Sequence, residues 1–402
     1  MRACDVTVVG GGLAGLTLAV ALGSVGMSVI CVDREPTASS SEKPDTRTTA
    51  LALGSKRVLD TLGVWPFFKA HAAQPILDIR VADRYSPLFV HYDHRDAGNE
   101  PFGWVVDNRY LKAALLKRVA QLPSLTHLTA TGVTALDTGP VHTTLTLSDG
   151  QTMRCSLAAG ADGRNSFCRK TAGIGTWGWT YDQMAIVCNI RHEKPHHAIA
   201  LEHFFPSGPF AVLPLTGNRS SIVWTEHKNR APLFLQMSES DFNRELQQRA
   251  GDWLGEISLD GPRHVWPVSL QHARSYTVPR LALVGEAAHA IHPIAGQGLN
   301  MGLRDVAVLA EVAVDAWRLG LDPGSPLVLQ QFQQRRRPDN MLLVSATDGL
   351  NRLFSNGSGP LHRIRSTGLA AVNRLRPVRQ LFMRHAMGTL GDLPRLVKGE
   401  SL

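Results

Sequence analysis

The sequence predicts a mixed α/β protein of two interlocked domains followed by a helical region, and three features carry that expectation. Residues 5–33 read strand, glycine turn, helix, strand; residues from about 178 to 272 are mostly strand-like; and the chain beyond about residue 299 is helical. With 402 residues and 44% hydrophobic content it can bury a large core, which excludes disordered and fibrous classes.

The N-terminal unit is the most specific of the three. DVTVVG supplies a strand, a helix is predicted from about Gly12 to Leu22, and SVICVD supplies a second strand. Gly10, Gly12 and Gly15 spell GxGxxG at the strand-to-helix turn, and Asp33 closes the second strand near the roughly 20-residue offset expected of a ribose-binding acid. Gly10 permits the sharp turn, Gly12 lets a pyrophosphate approach bare backbone, and Gly15 lets helix and strand pack closely. The helix start at Leu13 and Ala14 then offers free N–H groups to phosphate. A second GxGxxG spelling, GIGTWG at Gly173–Gly178, has no strand before it and two crowding tryptophans, Trp177 and Trp179, so it is read as coincidence.

Asp45–Gly63 reads as a polar loop followed by a short helix, and ILDIRVAD and PLFVHYD, between about Ala70 and Trp104, as short strands. Leucine and alanine spacing makes Asn108–Leu122 a helix. TGVTALDTG and HTTLTLSDG alternate as strands, with a hairpin turn at Asp149-Gly150, and SLAAGADGRNSFCRK is a strand entering a helix through Asp162-Gly163. The strand-rich middle section is interrupted by one helix near Glu239–Ala250. Arg280–Glu286 is a further buried strand, and a long helix runs from about Leu299 to Leu319.

Five scattered cysteines, Cys4, Cys31, Cys155, Cys168 and Cys188, contain no CxxC pair and argue against a disulfide framework or a zinc site. With no leader-like start and no apolar run long enough to span a bilayer, a cytoplasmic protein is expected. The net charge is +8, and from Leu361 onward eight Arg/Lys face two Asp/Glu among apolar residues. Such basic amphipathic helices suit a solvated surface or an anionic membrane face; nucleic acid is disfavoured because no aromatic stacking pattern accompanies the charge.

The stretch LVGEAAHAIHPIAGQGLNMGLRD, Leu283–Asp305, holds the densest chemistry. His289 and His292 lack a partner cysteine or an HExxH arrangement, so no metal is expected, and no GxSxG elbow exists for a nucleophile. A cofactor that spans the protein explains more. An extended FAD can rest its adenine end on the first βαβ unit while its ring reaches this segment. Glu286 can accept a ribityl or ribose hydroxyl, glycines 296 and 298 keep side chains clear of the ring, and the following helix aims its positive end at the flavin N1 and C2 carbonyl.

Taken together, GGGLAG with Asp33 and Arg34, DTRTTAL, GADGRNSFCR, FFPSGPFAVLPL with SSIVWTEH, EAAHAIHPIAGQGLNMGLRD and the C-terminal NRLFSN to GTLGDLP resemble the class A flavoprotein aromatic hydroxylases. Within them the resemblance is to the ubiquinone-biosynthesis hydroxylases. It implies a p-hydroxybenzoate hydroxylase-like architecture: an FAD-binding Rossmann-like domain from residues 1–70, 105–175 and 280–335, an interleaved β-sheet substrate domain from 71–104 and 176–279, and a C-terminal helical region 336–402. It implies that Arg47 and Arg109 contact FAD, that Asp162 belongs to a loop touching both FAD and the passing nicotinamide nucleotide, and that Pro293 and the backbone of Gly296, Gln297, Gly298, Leu299 and Asn300 line the flavin. One departure stands out: Glu286 occupies a position where the family has Asp, which keeps the acceptor but displaces it by a methylene.

The chemistry implied is hydroxylation of the ring of a polyprenylated phenol through a flavin C4a-hydroperoxide, with NAD(P)H as transient co-substrate and O2. A membrane-borne substrate and a ubiquinone-biosynthesis complex would give the basic C-terminal helices a purpose. Alternatives on the same scaffold are an epoxidase, a halogenase (WGWTYD lacks the proline of WxWxxP) or a prenyl reductase, and outside it a non-catalytic member of a biosynthetic complex. No catalytic base is assignable from the sequence.

Overall fold

The computed structural model describes residues 2–36, 47–68, 72–83, 89–355 and 376–402. At the centre of its first sheet, the Arg2–Val9 strand runs parallel to Val29–Val32 on one side and Thr152–Gly160 on the other, so that Val8 lies opposite both Cys31 and Ala159. The Leu281–Leu283 strand extends the sheet beyond Thr152–Gly160, and Leu125–Leu128 extends it beyond Val29–Val32. These strands are covered on both faces, which is why they read as unbroken apolar runs. The first helix, Leu13–Ser24, is buried from Gly15 to Gly23 because it is wedged against helices Gln297–Arg318 and Asn108–Val119. The hairpin at Asp149-Gly150 forms as expected, with Gly150 at φ +81°.

A second, mostly antiparallel sheet of nine strands is built on the long strand Thr176–His192, flanked by His264–Ala273 and Arg219–His227. Its alternation sorts the aromatic residues. Phe205, Phe210 and Trp224 point to a separate core with Phe234 and Phe242, whereas the intervening Ala211 and Val223 face the opposite side. Phe204 stacks on Phe354 with ring centroids 4.2 Å apart, so none of Phe204, Phe205, Phe210 and Trp224 lines the cleft described below.

Two local expectations are corrected. The polar loop expected ahead of Leu53 includes a strand, Thr48–Ala52, which pairs with Gly103–Asp107 in a three-stranded sheet completed by Ala73–Ile76. A short helix, Ala231–Gln236, precedes the expected one at Glu239–Ala250, with Pro232 in its first turn where a missing N–H costs nothing. As expected, no strand precedes the GIGTWG stretch: it follows a helix, Phe167–Thr171, and its last three residues open the Thr176–His192 strand.

The C-terminal part comprises helices Pro326–Phe354, Arg376–Ala386 and Arg395–Lys398. Of the basic segment expected to be helical from Leu361 onward, residues up to 375 lie outside the described residues. No helix among the described residues is long and apolar enough to cross a membrane.

Candidate cofactor and substrate cleft

The glycine turn behaves as its spacing requires. Gly10 sits at φ +112°, and a Cβ there would collide with the backbone of Ala161. A Cβ on Gly15 would overlap the carbonyl oxygen of Gly10, and one on Gly11 would overlap the Asp33 carboxylate, whereas Gly12 opens onto free space. Helix Leu13–Ser24 therefore starts with no side-chain cap and no acid in its first turn, leaving its N–H groups and its positive end available to an anion.

The second wall is the Gly285–Asn300 segment. A tight 3₁₀ turn, Gly285–Ala287, exposes Glu286; another at Ile294–Gly296 ends with Gly296 in the left-handed region, φ +59°, and launches the Gln297–Arg318 helix, again uncapped and without a first-turn acid. Asn300 ties this helix to the three-stranded sheet. Its Oδ1 accepts from Ala52 N–H at 2.9 Å, and its Nδ2 donates to the carbonyls of Ala50 at 2.8 Å and Gly296 at 3.2 Å. The strand that sequence reasoning missed is thereby the floor of the site.

Both walls open into one cleft of about 620 Å³, a size typical of cofactor and ligand sites. Gly12, Leu13 and Ala14 line one end, and Glu286, Pro293, Gly296, Gln297, Gly298, Leu299 and Asn300 line another. Thr48–Ala52 and the face of the nine-stranded sheet complete it. On that face Val187, Val223, Ala211 and Glu202 lie side by side across four strands, an apolar row ending in a carboxylate. A further arm is lined by Ile76, Ile79, Phe102, Ala200, Leu213 and Ala386.

The remaining expected residues sort as follows. Arg47 lines the cleft, its guanidinium 5.8 Å from the centroid of the Trp266 ring. Asp33 is buried beneath Gly11 and accepts from Glu35 N–H at 3.1 Å; Arg34 is exposed, 3.7 Å from Glu35. Gly10, Gly15, Asp33 and Arg34 shape the turn without lining the cleft itself. Arg109 also lies outside the lining, over the Tyr110 ring at 4.7 Å, although its neighbour Asn108 is within it. Asp162 sits in the expected loop, of which Ala161, Gly163 and Arg164 line the cleft, but its own Oδ2 accepts from Cys168 N–H at 3.0 Å while Ser166 caps the helix. Its Oδ1 is buried without a hydrogen-bond partner among the described residues.

Two polar groups were missed as functional partners. His289 lines the cleft and bonds through Nε2 to the buried Asp305 at 2.5 Å. His292, just behind the lining, accepts at Nδ1 from Ile294 N–H (3.3 Å), so Nε2 carries the proton and donates to Gln183 Oε1 (3.3 Å). Burial holds its pKa down to about 4, keeping the ring neutral. Both histidines were visible in the sequence; their partners, far along the chain, were not.

Uncapped helix ends, a glycine cradle with open space at Gly12 and one continuous cleft fit an extended dinucleotide cofactor. The chain matches the FAD binding domain family over residues 3–344 and belongs to it. FAD is thus the cofactor its fold is built for. Among relatives, it is 50% identical to the ubiquinone hydroxylase UbiL of Rhodospirillum rubrum, covering 100% of this chain and 94% of that one. It is 32% identical to the 3-demethoxyubiquinol 3-hydroxylase of Escherichia coli, covering 96% and 98%, and 31% identical to the human mitochondrial ubiquinone biosynthesis monooxygenase COQ6, covering 95% and 92%. In fold it resembles the p-nitrophenol 4-monooxygenase PnpA of Pseudomonas putida, with a TM-score of 0.79 at 21% identity over 96% of this chain and 99% of that one.

Proposed function

We propose that this chain is an FAD-dependent monooxygenase that hydroxylates the aromatic ring of a polyprenylated phenol in ubiquinone biosynthesis, using NAD(P)H and O2. The observation that carries the reading is the continuity of the cleft: a phosphate-ready glycine turn, a side-chain-free helix start and an apolar sheet face share one space. Relatives named as ubiquinone hydroxylases across nearly the full chain support the choice of substrate class.

In this reading Gly10, Gly12, Leu13, Ala14 and Gly15 hold the pyrophosphate, Asp33 and Arg34 serve the adenosine end, and Arg47, Arg109 and Asp162 border the cofactor. Glu286 accepts a ribityl hydroxyl, and Pro293 with Gly296–Asn300 presents backbone to the ring. Bound FAD supplies hydride acceptance and, once reduced, O2 activation. The protein's part is to orient the phenol and exclude water, and the row Val187, Val223 and Ala211 suits both tasks. The apolar arm from Ile76 to Ala386 suits the prenyl tail. The domain division expected from the resemblance is retained as part of the proposal, with the nine-stranded sheet as the body of the substrate domain.

Contact with a membrane surface also belongs to the proposal. From Pro338 onward the exposed residues of the Pro326–Phe354 helix are Pro338, Met341, Leu342, Ser345, Ala346, Gly349, Leu350 and Arg352, an uncharged run that ends in one cation. Phe382, 49% exposed, adds to the apolar surface on the next described helix. Binding to anionic vesicles should fall when Leu342 and Leu350 are both changed to Glu; unchanged binding removes the idea.

Purified protein is expected to be yellow and to oxidise NAD(P)H faster when a prenylated phenol is added. Colourless protein that cannot be loaded with FAD contradicts the reading. Mass spectrometry of the quinone precursor accumulating in a deletion strain identifies the step.

A further inference from the structure

Asp305 is wholly buried, yet four donors saturate its carboxylate. Oδ2 accepts from Gly285 N–H at 3.1 Å and from His289 Nε2 at 2.5 Å; Oδ1 accepts from Arg336 Nε at 2.9 Å and from Asn340 Nδ2 at 3.0 Å. Arg336 is held in turn by Asp339 at 2.7 Å and by Asn340 at 2.6 Å. Asn340 also reaches the Tyr276 hydroxyl at 3.2 Å, and that hydroxyl meets His272 Nε2 at 2.9 Å. His272 stands directly opposite His289 in the strand pairing, which closes the network around the His289 ring.

Burial by itself would raise the Asp305 pKa, but His289, Arg336 and Asn340 outweigh it and hold the carboxyl well below the usual carboxylate range. An ionised carboxylate only accepts, so the proton on His289 Nε2 is fixed. Nδ1 is therefore the nitrogen free to vary: an acceptor on the neutral ring and a donor on the imidazolium. It has no hydrogen-bond partner among the described residues, and the residue lines the cleft. The other charged or titratable groups near the ring are Glu286 on its own turn, His272 across the strand pairing, Tyr276 with its ring centroid 5.9 Å away, Arg169 bonded to the Ala287 carbonyl, Arg304 beside Asp305 on the Gln297–Arg318 helix, and Arg336 on the Pro326–Phe354 helix.

We propose that His289 is a proton-binding group of the cofactor site, with Asp305 and Arg336 as its positioning residues. Nδ1 takes up one proton from solvent when the occupant of the cleft gains negative charge, and returns it when that charge is lost. The Pro326–Phe354 helix, distant in sequence from the glycine turn, thereby takes part in the electrostatics of the cofactor. The inference rests on the reading that this cleft holds FAD.

The test is the midpoint potential of the FAD-loaded protein measured from pH 5.5 to 8.5, together with a histidine ring titration by NMR on the apoprotein. In the wild type the potential–pH curve is expected to show an inflection from a protein group, and His289→Gln should abolish it in the fraction of the variant whose flavin spectrum shows it to be loaded. Asp305→Asn should move that inflection, because the carboxylate that fixes the Nε2 proton is lost. Arg336→Lys should preserve the inflection and Arg336→Gln should shift it, a pair that keeps the test alive if the Asp305 variant does not fold. A potential–pH curve unchanged by His289→Gln overturns the proposal. Wild-type protein that takes up no FAD overturns the cofactor reading first and this proposal with it, and the two failures differ in whether a flavin spectrum appears at all.

Discussion

Replacing Asn300 with Ala tests whether the start of the Gln297–Arg318 helix is held in place by the strand that floors the cleft. Asn300 is 3% exposed and makes three hydrogen bonds, two of them to the Thr48–Ala52 strand. The substitution leaves Ala52 N–H facing a space that no other group fills. An unsatisfied buried amide costs about 1–3 kcal/mol, and each of the other two lost hydrogen bonds contributes about 0.5–1.5 kcal/mol. Relaxation recovers part of this, so a loss of about 2–4 kcal/mol is expected for the apoprotein. Because the same bonds anchor Gly296 and the lining backbone, FAD should bind at least about tenfold more weakly, equivalent to ~1.4 kcal/mol of the loss appearing at the site. Urea unfolding followed by tryptophan fluorescence and titration of apoprotein by flavin fluorescence quenching measure the two quantities. A stability change below about 0.5 kcal/mol with unaltered FAD affinity refutes the reasoning, since surface substitutions alone produce changes of that size.

Further outcomes follow from other parts of the site. Glu286→Asp should retain or tighten FAD binding, whereas Glu286→Ala should weaken it, as read by the same quenching titration. Val223→Trp should fill the sheet-side volume, leaving the flavin spectrum intact while abolishing the stimulation of NAD(P)H oxidation by substrate. His272 and His292 have folded pKa values lowered to about 4 by burial, His272 with a further contribution from His289. Their unfolded values lie near 6.5, so between pH 6.5 and 4 the unfolded chain binds more protons and stability falls with pH, by about 1–2 kcal/mol per ring at pH 5. His292→Gln should flatten that fall in a denaturation series from pH 7 to pH 5.

The parts of the fold legible in the sequence are those determined by local chemistry. The Gly10–Gly15 turn follows from backbone sterics, the Asp149-Gly150 hairpin from a single turn, and the Gln297–Arg318 helix from an apolar periodicity sustained over six turns. The Thr48–Ala52 strand was not legible because TTALA carries no strand alternation of its own; its conformation comes from pairing with Gly103–Asp107 more than 50 residues away. The same holds for the site. Glycines and the exposed acid announce themselves by position, but the partnership of His289 with Asp305 and of Asp305 with Arg336 depends on how the short His289–Ala290 strand and two helices pack together. Asp162 shows the opposite limit: its neighbours Ala161, Gly163 and Arg164 line the cleft, yet its carboxylate turns to the Cys168 amide. Strand alternation, which the residue types alone do not reveal, is what sends Trp224 to the core and its neighbour Val223 to the cleft.

The most direct test is an experimental structure of the protein saturated with FAD. The expected result is the pyrophosphate against Gly10–Gly15, the adenosine end toward Asp33 and Arg34, and the ring against Pro293 and Gly296–Asn300, with its open face toward Val187, Val223 and Ala211. FAD bound elsewhere, or a ring turned away from the nine-stranded sheet, would contradict it.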